Sequence, residues 1–184
     1  MKFNKIKSHA KINLSLNVFK KLKSGFHEIE TLVTFIKLND DIFIKPIKKN
    51  THNVFFYGKF SSGIHKNNTV TNLLKILDDK KKLNNIKYFI KIKKNIPCRA
   101  GLGGGSINSG SILKYFLKKK IIKCKKKEVL EIAKMIGSDV IFGLQDKKTI
   151  LQSKKNIFTS NGKVGLHIII SKPLFGCSTG LIYK

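Results

Sequence analysis

Gly101-Leu102-Gly103-Gly104-Gly105-Ser106 is the stretch whose residue types and spacing point most directly to chemistry. Glycines lack the Cβ atoms that would hold a phosphate away from the backbone, and they allow positive φ. A helix that starts within such a run offers unpaired N–H groups and the positive end of its dipole to an anion. The chemistry implied is the holding of a polyphosphate. A glycine-rich surface loop without a ligand has the same composition, and the run alone does not separate the two. Arg99, beside the loop, suits either a phosphate contact or a solvated surface.

For the run to act as a cradle, a strand must feed it and a helix must leave it. Tyr88-Phe89-Ile90-Lys91-Ile92-Lys93 alternates with the strand period, and 107–117 places Ile112, Leu113, Phe116 and Leu117 on one side of a helix. Upstream, 11–19 alternates, with Ile12, Leu14, Leu16 and Val18 on one face and Asn13, Ser15 and Asn17 on the other, as in a half-buried strand. Ser24-Gly25 marks a turn, 26–36 reads as extended, and Asp40-Asp41 punctuates. Ile42-Phe43-Ile44 then forms a short strand ended by Pro46. Val54-Phe55-Phe56-Tyr57 is a strand closed by Gly58. A helix over 69–77 carries Val70, Leu73, Leu74 and Leu77, with Asn68 as its cap. A further helix over 127–136 carries Val129, Ile132, Ala133 and Ile136, and Gly137 ends it. Thr149-Ile150-Leu151 and 166–170 read as strands, Pro173 breaks the chain, and a last helix is expected from Ser178. Strands first, then helices interleaved with strands, predict an α+β fold with helices packed on a mostly antiparallel sheet. The loop lacks the Gly-Lys-Ser/Thr ending of a Walker loop and the early position of a dinucleotide fingerprint, and the chain has no HRD or DFG string.

At 184 residues, 41% hydrophobic and 26% charged, the chain is long enough for one substantial core and is not of disordered composition. No apolar run is long enough to span a bilayer, and the lysine-interrupted start carries no signal-peptide pattern. Cys98, Cys124 and Cys177 form no CxxC pair, so neither a disulfide framework nor a zinc site is expected, and a reduced cytoplasmic setting fits. The net charge of +28 invites a nucleic-acid reading. Arg99 is the only arginine, however, and the lysines are scattered. Specific nucleic-acid recognition, which leans on arginine's bidentate fork, is therefore not expected. Weak, salt-sensitive, non-specific binding is.

Three strings in order resemble the GHMP kinases, a family of small-molecule kinases. They are Ala10-Lys11-Ile12-Asn13-Leu14, then 97–106 from Pro97 to Ser106, then Ile136-Gly137-Ser138-Asp139-Val140. Two more strings resemble the members whose acceptor is a methylerythritol linked to cytidine diphosphate. These are 24–32, containing Phe26-His27-Glu28, and Lys172-Pro173 followed by Ser178-Thr179 and Ile182-Tyr183. The resemblance implies the two-layer, ribosomal-protein-like N-terminal domain of that family and transfer of a phosphoryl group from ATP, with Mg²⁺, to an acceptor hydroxyl. It implies ATP binding by Pro97, Ala100, Gly101, Leu102, Gly103, Gly104, Gly105 and Ser106, with Ser106 as a candidate metal ligand. Asp139 matches the catalytic aspartate and Lys11 its lysine partner. Asn13, Phe26, His27, Thr179 and Tyr183 match acceptor-binding positions. Phe26 and Tyr183 would stack on the base, and His27 would read its polar edge.

The chain departs from the family pattern in several places. Phe26 stands for a tyrosine, Val33 for an aromatic near the base pocket, Ile107 for a small polar residue and Ile141 for a proline. The family continues into a second domain with a further glycine motif, so residues 1–184 are expected to be the N-terminal domain, ending at the start of a truncated second domain. A separately encoded C-terminal domain is then a candidate partner. Another GHMP kinase, or a basic RNA-binding module on the same fold, are the competing readings.

Overall fold

The structure is a computed structural model that describes residues 2–21, 27–145, 148–152, 156–160, 165 and 167–171. Six described strands form one sheet: β1 (Asn4–Lys21), β2 (His27–Ile47), β3 (Asn53–Tyr57), β4 (Lys87–Lys93), β5 (Lys148–Gln152) and β6 (Asn156–Ser160). Three α-helices, α1 (Thr69–Asp79), α2 (Gly104–Lys118) and α3 (Lys126–Ile136), and a 3₁₀ helix (Ser138–Leu144) complete the described elements. The fold is α+β, as expected. Every strand pair is antiparallel except β3 with β4.

The sheet is organised by β2. Its first half pairs with β5 (Thr31 opposite Leu151) and its second half with β4 (Ile44 opposite Ile90), while β1 runs alongside both halves. The sequence reading divided β2 at Asp40-Asp41 and ended it at Pro46. The strand instead continues through both, because the Asp40 carboxylate is buried and fully engaged inside the structure and not spent on a turn. Pro46 is accommodated near the strand end, opposite Tyr88. One face of the sheet supplies Ile42, Ile44, Tyr88, Ile90 and Ile92 to the main core. The helices close it with Val70, Leu73, Leu74 and Leu77 of α1, Ile112, Leu113 and Phe116 of α2, and Ile132 of α3. Each of these side chains sits at the helical or strand spacing that put it on the inner face.

The outer half of β1 differs from expectation. Leu16 and Val18 are 38% and 43% exposed, since no described helix covers that end of the β1–β2 ribbon. The strand expected at 166–170 does not form over its described residues. No described strand pairs with 167–171, and Ile169 is exposed. β6 was not anticipated and forms a hairpin with β5. The turn at Ser24-Gly25 and the helix from Ser178 lie outside the described residues.

Two helix starts contrast sharply. Asn68 caps α1 by accepting from the Val70 and Thr71 N–H groups, and Thr71 Oγ1 accepts in return from the Asn68 N–H. This is a complete capping box. α2 begins at Gly104, three residues before the sequence reading placed it, with Gly103 in the left-handed region (φ 70°) and no side-chain cap at all.

Candidate active site

The uncapped start of α2 leaves backbone N–H groups of its first turn free of side-chain partners, and its first intrahelical bond runs from Ile107 N–H to Gly103 O. Free donors and the dipole end are the features that suit a helix start to an anion. Gly103 is needed twice over. A Cβ there would lie 2.8 Å from Ile107 Cδ1 and 2.9 Å from Lys11 Cγ, and its φ disfavours any other residue. The loop is held from below by Leu102, 8% exposed, which packs with Ala10 and Ile96, and by the Lys11 N–H donating to Leu102 O at 3.1 Å. Thr69 Oγ1 donates to Gly105 O at 2.8 Å and ties the start of α1 to the first turn of α2. Leu102 is thus an anchor, while Gly101 and Gly105 are exposed and Gly103, Gly104 and Ser106 partly so. Pro97 and Ala100 are half-buried at the loop's entry.

Lys11 passes along this loop from β1. Its Nζ donates to Asn13 Oδ1 at 2.6 Å and stands 3.6 Å from Asp139 Oδ2. The second distance is that of an ion pair without a hydrogen bond. The Lys11 side chain is 9% exposed and that of Asp139 36%, so the carboxylate faces open space while the ammonium is held behind it. Asn13 Nδ2 donates to Thr31 Oγ1 at 2.6 Å, and Thr31 donates to Ser15 O at 2.8 Å. Asn13 therefore orients Lys11. Asp139 sits in the first turn of the 3₁₀ helix, where its charge is favoured by the dipole. That helix is fixed to β2 by Ile141 and Phe142, which bury Val33 completely. Val33, expected near a base pocket, is a core residue, and Ile141, in the place of a proline, packs against it. Gly137, between α3 and the 3₁₀ helix, lies beside Ser106: a Cβ on Gly137 would be 3.8 Å from Ser106 Oγ. Glycine loop, Ser106, Lys11 and Asp139 thus converge from separate parts of the chain.

Sequence reasoning passed over the support beneath the loop. Asp40, 0% exposed, receives the Lys94 ammonium, the Asn95 N–H (2.8 Å), the Ile96 N–H (2.9 Å) and Asn108 Nδ2 (2.9 Å). One buried carboxylate therefore joins β2, the segment entering the glycine loop and the second turn of α2. Four donors offset its desolvation. Asn108 Oδ1 has no partner among the described residues. Lys94 Nζ lies 3.3 Å from where a Gly104 Cβ would be, so the Lys94–Asp40 ion pair sits directly beneath the first turn of α2. An aspartate in a strand, a buried lysine just after one, and an asparagine inside a helix were the available signals. Each breaks local preference and so calls for a partner.

His27 is placed as the first residue of β2, opposite Lys21. Phe26, Thr179 and Tyr183 lie outside the described residues. Among the described residues no cluster of three His, Cys, Asp or Glu could hold a metal.

Residues 68–147 match the family described as GHMP kinases N terminal domain. A protein of Pelagibacter ubique named 4-diphosphocytidyl-2-C-methyl-D-erythritol kinase is 51% identical over 180 residues, 98% of this chain and 64% of that protein. Its namesake in Fusobacterium nucleatum is 34% identical over 192 residues, covering 98% of this chain and 62% of its own length. The chain thus spans a little under two thirds of these curated relatives. Among solved structures, a 4-(cytidine 5'-diphospho)-2C-methyl-D-erythritol kinase superposes with a TM-score of 0.67 at 22% identity, over 85% of this chain and 55% of that one. Homoserine kinase from Cytophaga hutchinsonii gives 0.58 at 15% identity, over 84% and 51%. At these identities the solved structures bear on the fold.

Proposed function

Because the chain belongs to the GHMP kinases, we propose that it binds ATP and the cytidine-diphosphate-linked methylerythritol named for its relatives, and serves phosphoryl transfer between them. The observation that carries this reading is the convergence of an uncapped α2 N-terminus with the Lys11–Asp139 pair at 3.6 Å.

In this reading the triphosphate lies on the backbone N–H groups of 103–106, with Ser106 Oγ toward a phosphate oxygen or Mg²⁺. A Mg²⁺ ion held there would supply neutralisation of phosphate charge, with Ser106 as the candidate residue to hold it. Asp139 accepts the proton of the acceptor hydroxyl. The acceptor oxygen forms its bond to the γ-phosphorus as the bridging bond to the β-phosphate breaks, and ADP leaves with that electron pair. Lys11 steadies the negative charge shared by carboxylate and attacking oxygen. Asn13, Phe26, His27, Thr179 and Tyr183 are assigned to the acceptor. The 184 residues are assigned as the nucleotide- and acceptor-binding domain, with a cytoplasmic setting in which Cys98 and Cys124 stay free thiols.

The test is Asp139→Asn. Turnover of the cytidine-diphosphate alcohol should fall about 10²–10⁴-fold while ATP binding by calorimetry is retained. Unchanged turnover would remove Asp139 from its role as base. If the unsubstituted chain is inactive alone, the remaining third of the relative from Pelagibacter ubique, added in trans, is expected to restore turnover. RNA binding without any nucleotide binding would favour the non-enzymatic reading.

A further inference from the structure

Two further glycines, outside the loop, face each other across two helices. Gly110 lies in the middle of α2, and Gly143 lies near the end of the 3₁₀ helix that begins with Ser138-Asp139. The two elements touch backbone to backbone there. A Cβ on Gly110 would fall 2.3 Å from Val140 O and 2.7 Å from Gly143 Cα. A Cβ on Gly143 would fall 2.7 Å from Ile107 O and 2.8 Å from Gly110 Cα. All of these neighbours are main-chain atoms, so no rotamer change relieves the overlap, and any side chain at either position drives the elements apart. Glycine in mid-helix is unfavourable in itself, which points to this contact as its reason.

What the contact spaces is the chemistry. α2 carries the glycine loop at its N-terminus and is tied to the sheet through Asn108 and Asp40. The 3₁₀ helix carries Asp139 next to Val140, whose carbonyl is the atom nearest Gly110. The Lys11–Asp139 pair has no hydrogen bond across its 3.6 Å, and the recorded support of Asp139 from its own segment is Ser138 Oγ at 3.4 Å. The position of the acid relative to loop and lysine therefore follows from how closely the two helices approach. We propose that Gly110 and Gly143 are positioning residues that set Asp139 against Lys11 and the phosphate loop. This rests on the reading of Asp139 as the base.

Two measurements test it. In urea unfolding, the cycle of Lys11→Met, Asp139→Asn and the double variant should show coupling in the otherwise unsubstituted protein, and that coupling should vanish in the Gly143→Ala background. This readout needs no turnover. In the assay where Asp139→Asn is inactive, Gly143→Ala should lower kcat at least tenfold and leave KM for ATP within about threefold, because the loop itself is intact. Adding Asp139→Glu, whose longer arm reaches across the widened gap, should cost less in that background than in the parent. Coupling that survives in Gly143→Ala overturns the proposal, as does an unchanged kcat or equal losses in kcat and ATP affinity. An active Asp139→Asn instead overturns the base assignment and leaves the coupling result to stand alone. If Gly143→Ala does not fold, Gly110→Ala is judged on the same readouts. Failure of both to fold overturns the positioning role in favour of packing alone.

Discussion

Lys11 Nζ stands between two oxygens, Asn13 Oδ1 at 2.6 Å and Asp139 Oδ2 at 3.6 Å, and the shorter bond holds the cation where the longer pair needs it. Asp40 performs the corresponding task for the loop, out of water and with four donors on two oxygens. Removing one partner of a buried pair strands the other charge, so Asp40→Ala should cost about 3–5 kcal/mol in urea unfolding. Combining it with Lys94→Met should cost less than the sum of the two. Gly103→Ala should lower ATP affinity at least tenfold in calorimetry, since its φ is one that side-chain-bearing residues rarely adopt and a Cβ there would crowd the Ile107 and Lys11 side chains. The glycine run stood out in the chain by its composition, whereas Lys11, one lysine among many, and Asp139 were singled out only by the strings shared with a family. The pairing of Lys11 with Asp139 came from the order of strings shared with a family, and periodicity says nothing of it. Asp40, Lys94 and Asn108 escaped because an isolated polar residue shows no period, and its partners are distant in sequence.

At the scale of elements, amphipathic spacing located the three described α-helices, and Asn68 announced the start of α1. α2 was placed late because glycine carries a low helical preference. Its first turn exists through Thr69, Leu102 and the packing below it. β2 was broken in two by its aspartates for a similar reason: local turn preference lost to a buried tertiary partner. The opposite edge of the sheet carries its own titrating group. His52 Nδ1 accepts from the Tyr88 N–H at 3.0 Å, its Nε2 lies 3.1 Å from Asp78 Oδ2, and the Lys87 ammonium reaches the same oxygen. Burial lowers the His52 pKa below 6.5, opposed by Asp78 and helped by Lys87. The folded protein thus holds His52 neutral where the unfolded chain takes up a proton. Its contribution is full above about pH 6.5 and is lost as pH falls through the depressed folded value. His52→Gln should flatten the pH dependence of the urea midpoint below that pH, and an unaltered slope would exclude His52 as its source.

Over the whole molecule, a net charge of +28 on 184 residues is self-repelling, with few described acid partners to offset it. Raising NaCl from about 20 mM to about 200 mM should therefore raise Tm by several degrees by screening this repulsion, read by differential scanning fluorimetry. No described helix is long and apolar enough to cross a membrane. The sequence by itself determined the α+β class, the helix faces, the phosphate-suited loop and, by its ordered strings, the family. These follow from short-range spacing and composition, which a linear chain displays. Tertiary structure alone decided that the loop is borne by Asp40, that Val33 is core, and that Asn13 holds Lys11. It also decided that Gly110 and Gly143 bring the acid to the loop. Each of these depends on atoms far apart in the chain meeting at a few ångströms, and only the packed sheet and helices set those distances.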